Sequence, residues 1–271
     1  MSIEYDSIIH RLKSLANEEN AAGMARFGID GANTLGISMY TLRDIATEIK
    51  HDHALALELW DSGFHEARIL AGLIDEPEKV TERQLEQWVA DFDTWDIVDQ
   101  VSALIAQTPF VIKKIHEWSA REEEFVKRAA FSLIAEISFY HKKMPDSDFE
   151  QFFPIIIRES RDGRNYVRKA VNWALRNIGK KNLYLNQRAV ETAREIQKLD
   201  SKSARWIAAD AIRELTGGSC EEKAGEKSRV FEKHPQMNRR QTVDSSPGSS
   251  RTSHPRLSPV RHPNDILVTL I

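Results

Sequence analysis

Four side chains on three helical segments carry the chemistry this sequence offers: Trp95 and Asp99, Arg128, and Trp173. Each stands off the apolar stripe of its own segment. A helix hides that stripe and leaves the opposite side for a ligand, so packing does not account for what is placed there. Indoles among cations suit a surface that touches sugar and phosphate. The cations would hold a polyanion by its backbone. A carboxylate in that company costs affinity, and makes sense where a positive group or a developing cation must be stabilised.

The helical wheel defines these positions. Between residues 163 and 179, Val167, Ala170, Val171, Ala174, Leu175 and Ile178 form one apolar stripe, while Lys169, Trp173, Arg176 and Lys180 follow the same spacing on the other side. Between 123 and 140 the stripe is Val126, Ala129, Ala130, Leu133, Ile134 and Ile137, and Arg128 falls where Lys169 falls. Between 94 and 106 it is Ile97, Val101, Leu104 and Ile105, with Asp99 at the equivalent place and Trp95 one turn earlier. Trp60, Trp88 and Trp118 fall in the outer helices and read as core.

Segments that position such residues run almost continuously through residues 1 to 219, starting near Ile3, Ser38, Asp52, Phe64, Thr81, Thr94, Pro109, Glu123, Asp146, Asp162, Asn182 and Ser201. Thr81-Glu-Arg-Gln84 has the form of a capping box, Pro109 suits a first helical turn, and Gly179 and Gly217 suit helix ends. Five stretches align as small and aliphatic residues, ending at Ile74, Ile105, Ile134, Leu175 and Ile212. That irregular repeat approaches the roughly 40-residue period of HEAT-type helix pairs. The expected fold is all-α, a HEAT/ARM-like solenoid of about six antiparallel helix pairs with a concave face. The repeat puts Arg68, Asp99, Arg128, Lys169 and Trp206 in a row down that face.

Residues 220 to 271 hold five of the nine prolines and Ser-, Arg- and Lys-rich runs without an apolar period, and read as a disordered tail. This tail takes 9 of the 38 Lys+Arg and 6 of the 41 Asp+Glu, which leaves the body with 29 basic and 35 acidic residues. An acidic body excludes indiscriminate polyanion binding and requires a segregated basic face if nucleic acid is the partner. One cysteine, Cys220, excludes an intramolecular disulfide and a cysteine zinc cluster. His65-Glu66 has no second histidine at ligand spacing, so no metal or cofactor is expected. With no membrane-length apolar run and no secretory signal, the expectation is a cytoplasmic monomer.

The sequence resembles the DNA alkylation repair glycosylases of the AlkD type, built from HEAT-like repeats. The resemblance covers roughly residues 20 to 217 and rests on Phe92-Asp-Thr-Trp-Asp-Ile-Val-Asp99, Phe125-Val-Lys-Arg-Ala-Ala130 and Tyr166-Val-Arg-Lys-Ala-Val-Asn-Trp-Ala-Leu-Arg176. It implies that Trp95 and Trp173 flank the deoxyribose, that Asp99 is the catalytic carboxylate, and that Arg128 is its neighbouring phosphate-binding arginine. It further implies excision of cationic N3- or N7-alkylated purines from double-stranded DNA without drawing the base into a pocket. Asp99 would stabilise the oxocarbenium-like sugar and orient water. Arg68, Lys169, Arg176 and Lys180 are the accompanying DNA-binding candidates. The family also has an N-terminal aromatic abutting the lesion; Gly23 or Met24 holds the matching place, with Phe27 nearby.

Structural readings stand beside these. Asp99 pairing with Arg128, Arg128 with Glu124, and Arg68 bridging to Asp99 are all open to side chains on neighbouring turns. Asp93 and Asp96 read as helix-start acids. Gly28 to Gly36 reads as an interhelix loop. A HEAT-repeat module that binds DNA or protein along the same face without chemistry is the alternative function.

Overall fold

In a computed structural model, residues 2–29 and 33–217 are described, and they form helices joined by short turns. The chain order is α1 (Ile3–Ser14), α2 (Glu18–Ala25), α3 (Met39–Ile49), α4 (His53–Asp61), α5 (His65–Ile74), α6 (Glu82–Ala90), α7 (Trp95–Ile105), α8 (Val111–Ser119), α9 (Glu124–Tyr140), α10 (Asp146–Glu150), α11 (Phe152–Glu159), α12 (Asn165–Gly179), α13 (Leu183–Gln197) and α14 (Lys202–Leu215). The tail reading for 220 to 271 lies outside the described residues.

Local chemistry sets most boundaries. Ser38, Asp52, Asn182 and Ser201 each accept a backbone N–H of the first turn, and Thr81 and Gln84 close a reciprocal capping box. Two starts move. The helix expected from Pro109 begins at Val111, and the one expected from Asp162 begins at Asn165. Asp162 instead accepts the backbone N–H of Arg164 at 2.9 Å and holds its guanidinium, which fixes the turn before α12. Helices α2 and α11 have no counterpart among the expected segments, the stretch expected from Asp146 being divided at Gln151.

The repeat is realised as a run of inner helices in which α3 packs on α5, α5 on α7, α7 on α9, α9 on α12 and α12 on α14. The outer layer carries α4, α8 and α13 against α5, α9 and α14. Val167, Ala170, Val171, Ala174, Leu175 and Ile178 are all buried, as are the stripes of α7 and α9. Trp60, Trp88 and Trp118 are core residues, the first two stacked with ring centroids 4.1 Å apart. No helix among the described residues is long and apolar enough to cross a membrane, and these residues contain no cluster of metal-ligating side chains.

Helix α9 departs from the wheel. From Val126 to Ser138 every residue is buried, including Lys127, Arg128, Ser132 and Glu136 on its polar side. It lies between α7 and α12 with α8 behind, so its polar side is enclosed as well.

Candidate nucleic-acid interface

Asp99 is the centre of the site, and it is not open to solvent: the residue is 2 % exposed. The expectation of a carboxylate standing free on a concave face is corrected here. Arg128 grips it with two parallel bonds, Nε to Oδ1 at 3.1 Å and Nη2 to Oδ2 at 2.6 Å, and the Ser132 hydroxyl donates to Oδ1 at 2.8 Å. Such a bidentate pair is among the stronger charge-assisted arrangements. Arg128 and Ser132 are one turn apart on α9 and meet Asp99 from the adjacent helix. The pairing anticipated between Asp99 and Arg128 is present; Glu124 instead accepts the backbone N–H of Tyr166.

The other faces of Arg128 are also occupied. Its guanidinium lies 5.8 Å over the Trp95 ring, and Nη1 donates to the Tyr166 carbonyl at 2.9 Å. Trp95, half-buried, donates its indole N–H to the Phe27 carbonyl at 3.0 Å. Arg128 therefore touches both Trp95 and Asp99. Trp173 is half-buried seven residues beyond Tyr166, about 10 Å further along the same face of α12. Phe27 comes to Trp95 through its main chain, while its ring is exposed.

The cations expected on phosphates divide into two groups. Lys169 is exposed with no ion-pair partner among the described residues. Arg176 and Lys180 are both met by acids of α14: Arg176 Nη1 reaches Asp210 at 3.1 Å, and Glu214 pairs with Arg176 and Lys180 together. Arg68 does not bridge to Asp99. It lies 5.4 Å over Trp60, donates to the Asp91 carbonyl at 3.1 Å and is 3.7 Å from Asp93. Trp206, at the far end of the row, is exposed with the Arg168 guanidinium 4.5 Å over its ring.

Two features were missed by sequence reasoning. Glu136, two turns beyond Arg128 on the same side of α9, is 1 % exposed, and neither carboxyl oxygen has a hydrogen-bond partner. Burial, reinforced by the charge of Asp99, pushes its carboxyl up to about 8. The spacing Arg128, Ser132, Glu136 was a visible signal, a polar row at every fourth residue. The second is the pairing of His65, read from sequence only as a lone histidine, with Asp96. The ring is buried 2.8 Å from Asp96, and although burial alone would lower its basicity, the hydrogen bond and charge of Asp96 raise it. Asp96 thus ties α5 to α7 through a side chain.

A model of the DNA alkylation repair enzyme family matches residues 8–215, about three-quarters of the chain. The chain belongs to that family. Membership places it among proteins with a DNA repair or DNA-binding role. Among solved structures, one described as from a new family of proteins related to the HEAT-like repeat DNA glycosylases, with affinity for branched DNA structures, superposes with a TM-score of 0.65. It is 19 % identical, and the match covers 77 % of this chain and 94 % of that one. A designed armadillo repeat protein in complex with a (KR)4 peptide is 15 % identical over 74 % of this chain and 86 % of its own, with a TM-score of 0.33. A search of curated proteins finds no match. The shared fold is a HEAT-like helical repeat.

Proposed function

We propose that the protein is a DNA glycosylase that releases cationic N3- or N7-alkylated purines from duplex DNA, acting as a cytoplasmic monomer. The observation that carries this reading is the contact of Arg128 with Trp95 and Asp99 across facing inner helices, with Tyr166 joining from α12. An alkylated purine already bears positive charge, so its glycosidic bond is weakened before the protein acts. What remains for the protein is to stabilise a sugar that becomes positive as the base departs. Asp99 is the carboxylate placed to do so.

The resting ion pair sets a condition on this chemistry. A carboxylate neutralised by a guanidinium 2.6 Å away offers little field to a developing cation. A backbone phosphate is a bidentate acceptor for arginine of the same kind as a carboxylate. When DNA enters, a phosphate draws Arg128 toward itself and leaves Asp99 to face the sugar, while Trp95 and Trp173 pack beside the lesion and Lys169 meets the next phosphate. Asp99 then orients the attacking water, and the base leaves without being turned out of the stack.

The test is release of free base from duplex DNA carrying 7-methylguanine. The wild-type protein should release it well above spontaneous depurination, and Asp99→Asn should lower that rate by about 100-fold or more while leaving duplex affinity within a few fold. Wild-type release at the spontaneous rate would remove the reading. One observation favours a second reading, a non-catalytic DNA-binding module: both oxygens of Asp99 are already bonded in the free protein. Steeply salt-dependent duplex binding with no release would select it.

A further inference from the structure

Residues outside the inner helices also reach Trp95 and Tyr166, the neighbours of Arg128. Residues 26–29, which follow α2, touch one side chain of α7 and one of α12, the two helices between which Arg128 lies. At one end the Phe27 carbonyl accepts the Trp95 indole N–H at 3.0 Å. At the other, Gly28 sits so tightly against Tyr166 that a Cβ added there would lie 1.9 Å from the phenolic oxygen. Trp95 and Tyr166 are the two residues that flank Arg128, one under its guanidinium and one accepting from it. Gly28 also has φ +78°, a conformation open to glycine and poorly tolerated by branched residues.

The start of α2 and residues 35–37 are tied to one another. Glu66, buried at the start of α5, accepts the backbone N–H groups of Leu35, Gly36 and Ile37 at 2.7 to 3.2 Å. Asn17 and Asn20 bond the same stretch through the Leu35 and Gly36 carbonyls. Between Asn17 and Phe27, however, α2 buries no residue. A helix with no buried face is held by its ends. Its base is bonded to Leu35 and Gly36, which Glu66 holds in turn, and its tip is set by the Trp95–Phe27 hydrogen bond, the Gly28 contact and the buried side chain of Ile29.

We propose that residues 26–29 are a strap that holds the Asp99–Arg128 centre shut in the free protein and is displaced when duplex DNA enters. This rests on the reading that the Trp95–Trp173 face meets DNA, and it adds that face's regulation. While Phe27 takes the Trp95 indole N–H, that donor is not available to a DNA strand, and Arg128 stays on Asp99. Displacement frees the indole N–H as a donor and lets Arg128 leave Asp99 for a phosphate. The strap keeps a desolvated carboxylate away from stray cations and makes opening conditional on the ligand.

The experiment follows the Trp95 indole N–H by 15N NMR, the resonance being assigned by its loss in Trp95→Phe. In the free wild-type protein its hydrogen exchange should be slow, and saturating unmodified duplex should shift the resonance and speed exchange at least tenfold. Gly28→Val cannot occupy the strapped position. Gly28→Asn keeps a residue that tolerates positive φ but still places a Cβ against Tyr166, which separates the collision from backbone strain. Both variants should speed exchange without DNA, and both should associate with duplex about tenfold faster. An indole resonance unmoved by saturating duplex, or variants that associate at the wild-type rate, would overturn the strap. A protein that loses indole protection on DNA yet releases no base keeps the strap and loses the proposed chemistry. Base release with protection intact does the reverse.

Discussion

Two buried charge clusters in this fold look alike and are built differently. On the outer layer, Lys114 is enclosed and donates to Glu82, Glu86 and Glu117 at 2.7 to 2.8 Å, so all three of its protons are used and each acid also reaches solvent. On the inner row, Asp99 is equally well bonded, but its surroundings are not. Glu136 has neither oxygen bonded, and the Ser102 hydroxyl, one turn beyond Asp99, is buried without a partner too. Buried polar groups are normally satisfied. The outer cluster is complete in the free chain and serves to join α6 to α8. The inner one leaves polar capacity unused beside a carboxylate, the arrangement expected where stability has been given up at a functional site.

The largest consequence of that contrast is a pH dependence centred on Glu136. The folded chain binds this proton more tightly than the unfolded chain, with the carboxyl raised from 4.5 to about 8. Its contribution to stability is therefore fully present below pH 4.5, falls as pH rises from there to about 8, and is flat above. The loss across that window is roughly 5 kcal/mol at most. Glu136→Met removes the titration and supplies an apolar side chain of similar length. Urea melts should show the variant more stable than wild type, with a gain that grows between pH 5 and pH 8. Because His65 titrates in the same direction in both proteins, the difference isolates Glu136. A constant difference across the window would mean that the inner cluster holds no strained acid, and the contrast with Lys114 would disappear.

The outer cluster should respond the opposite way. Lys114→Met leaves the three glutamates to their outer cationic partners, Lys113 for Glu82 and Glu117 and Arg121 for Glu86, and unfolding free energy should fall by about 2 kcal/mol, less than for a fully enclosed pair because the acids are partly solvated. Base release per folded molecule should be unchanged. A variant that folds normally but loses release would show that the outer layer also tunes the site.

How much of this was written in the chain depends on the range of the forces involved. Core stripes, the capping box at Thr81 and the succession of inner helices were legible, because 3.6-residue periodicity and caps are local. The Asp99–Arg128 partnership was legible as a possibility, since both fall at equivalent points of adjacent repeats. Their enclosure was not. A helical wheel separates the polar side of α9 from its apolar side but cannot tell an open side from one covered by neighbouring helices. The strap was also out of reach, since Phe27 meets Trp95 across 68 residues with no local signal. One feature could have been read and was not: Asp210 and Glu214 on α14 repeat the four-residue spacing of Arg176 and Lys180 on α12, acid for base.

That matched spacing yields the smallest and most discriminating prediction. Arg176 and Lys180 are paired with Asp210 and Glu214, a satisfied cluster like that of Lys114, yet they lie on the α12 side that carries Lys169 and Trp173. If DNA covers this end of α12, the acids oppose its phosphates, and the double variant Asp210→Asn, Glu214→Gln frees two cations for them. Duplex affinity should rise about threefold to tenfold near physiological salt, and the slope of log affinity against log salt should steepen by about 1 to 2, close to 0.9 per freed contact. Arg176→Ala in the otherwise wild-type chain should cost little, because its charge is already met. Unchanged affinity and slope in the double variant would move the end of α12 out of the interface and class its ion pairs with the outer ones, leaving Lys169 and Arg128 as the row's phosphate contacts.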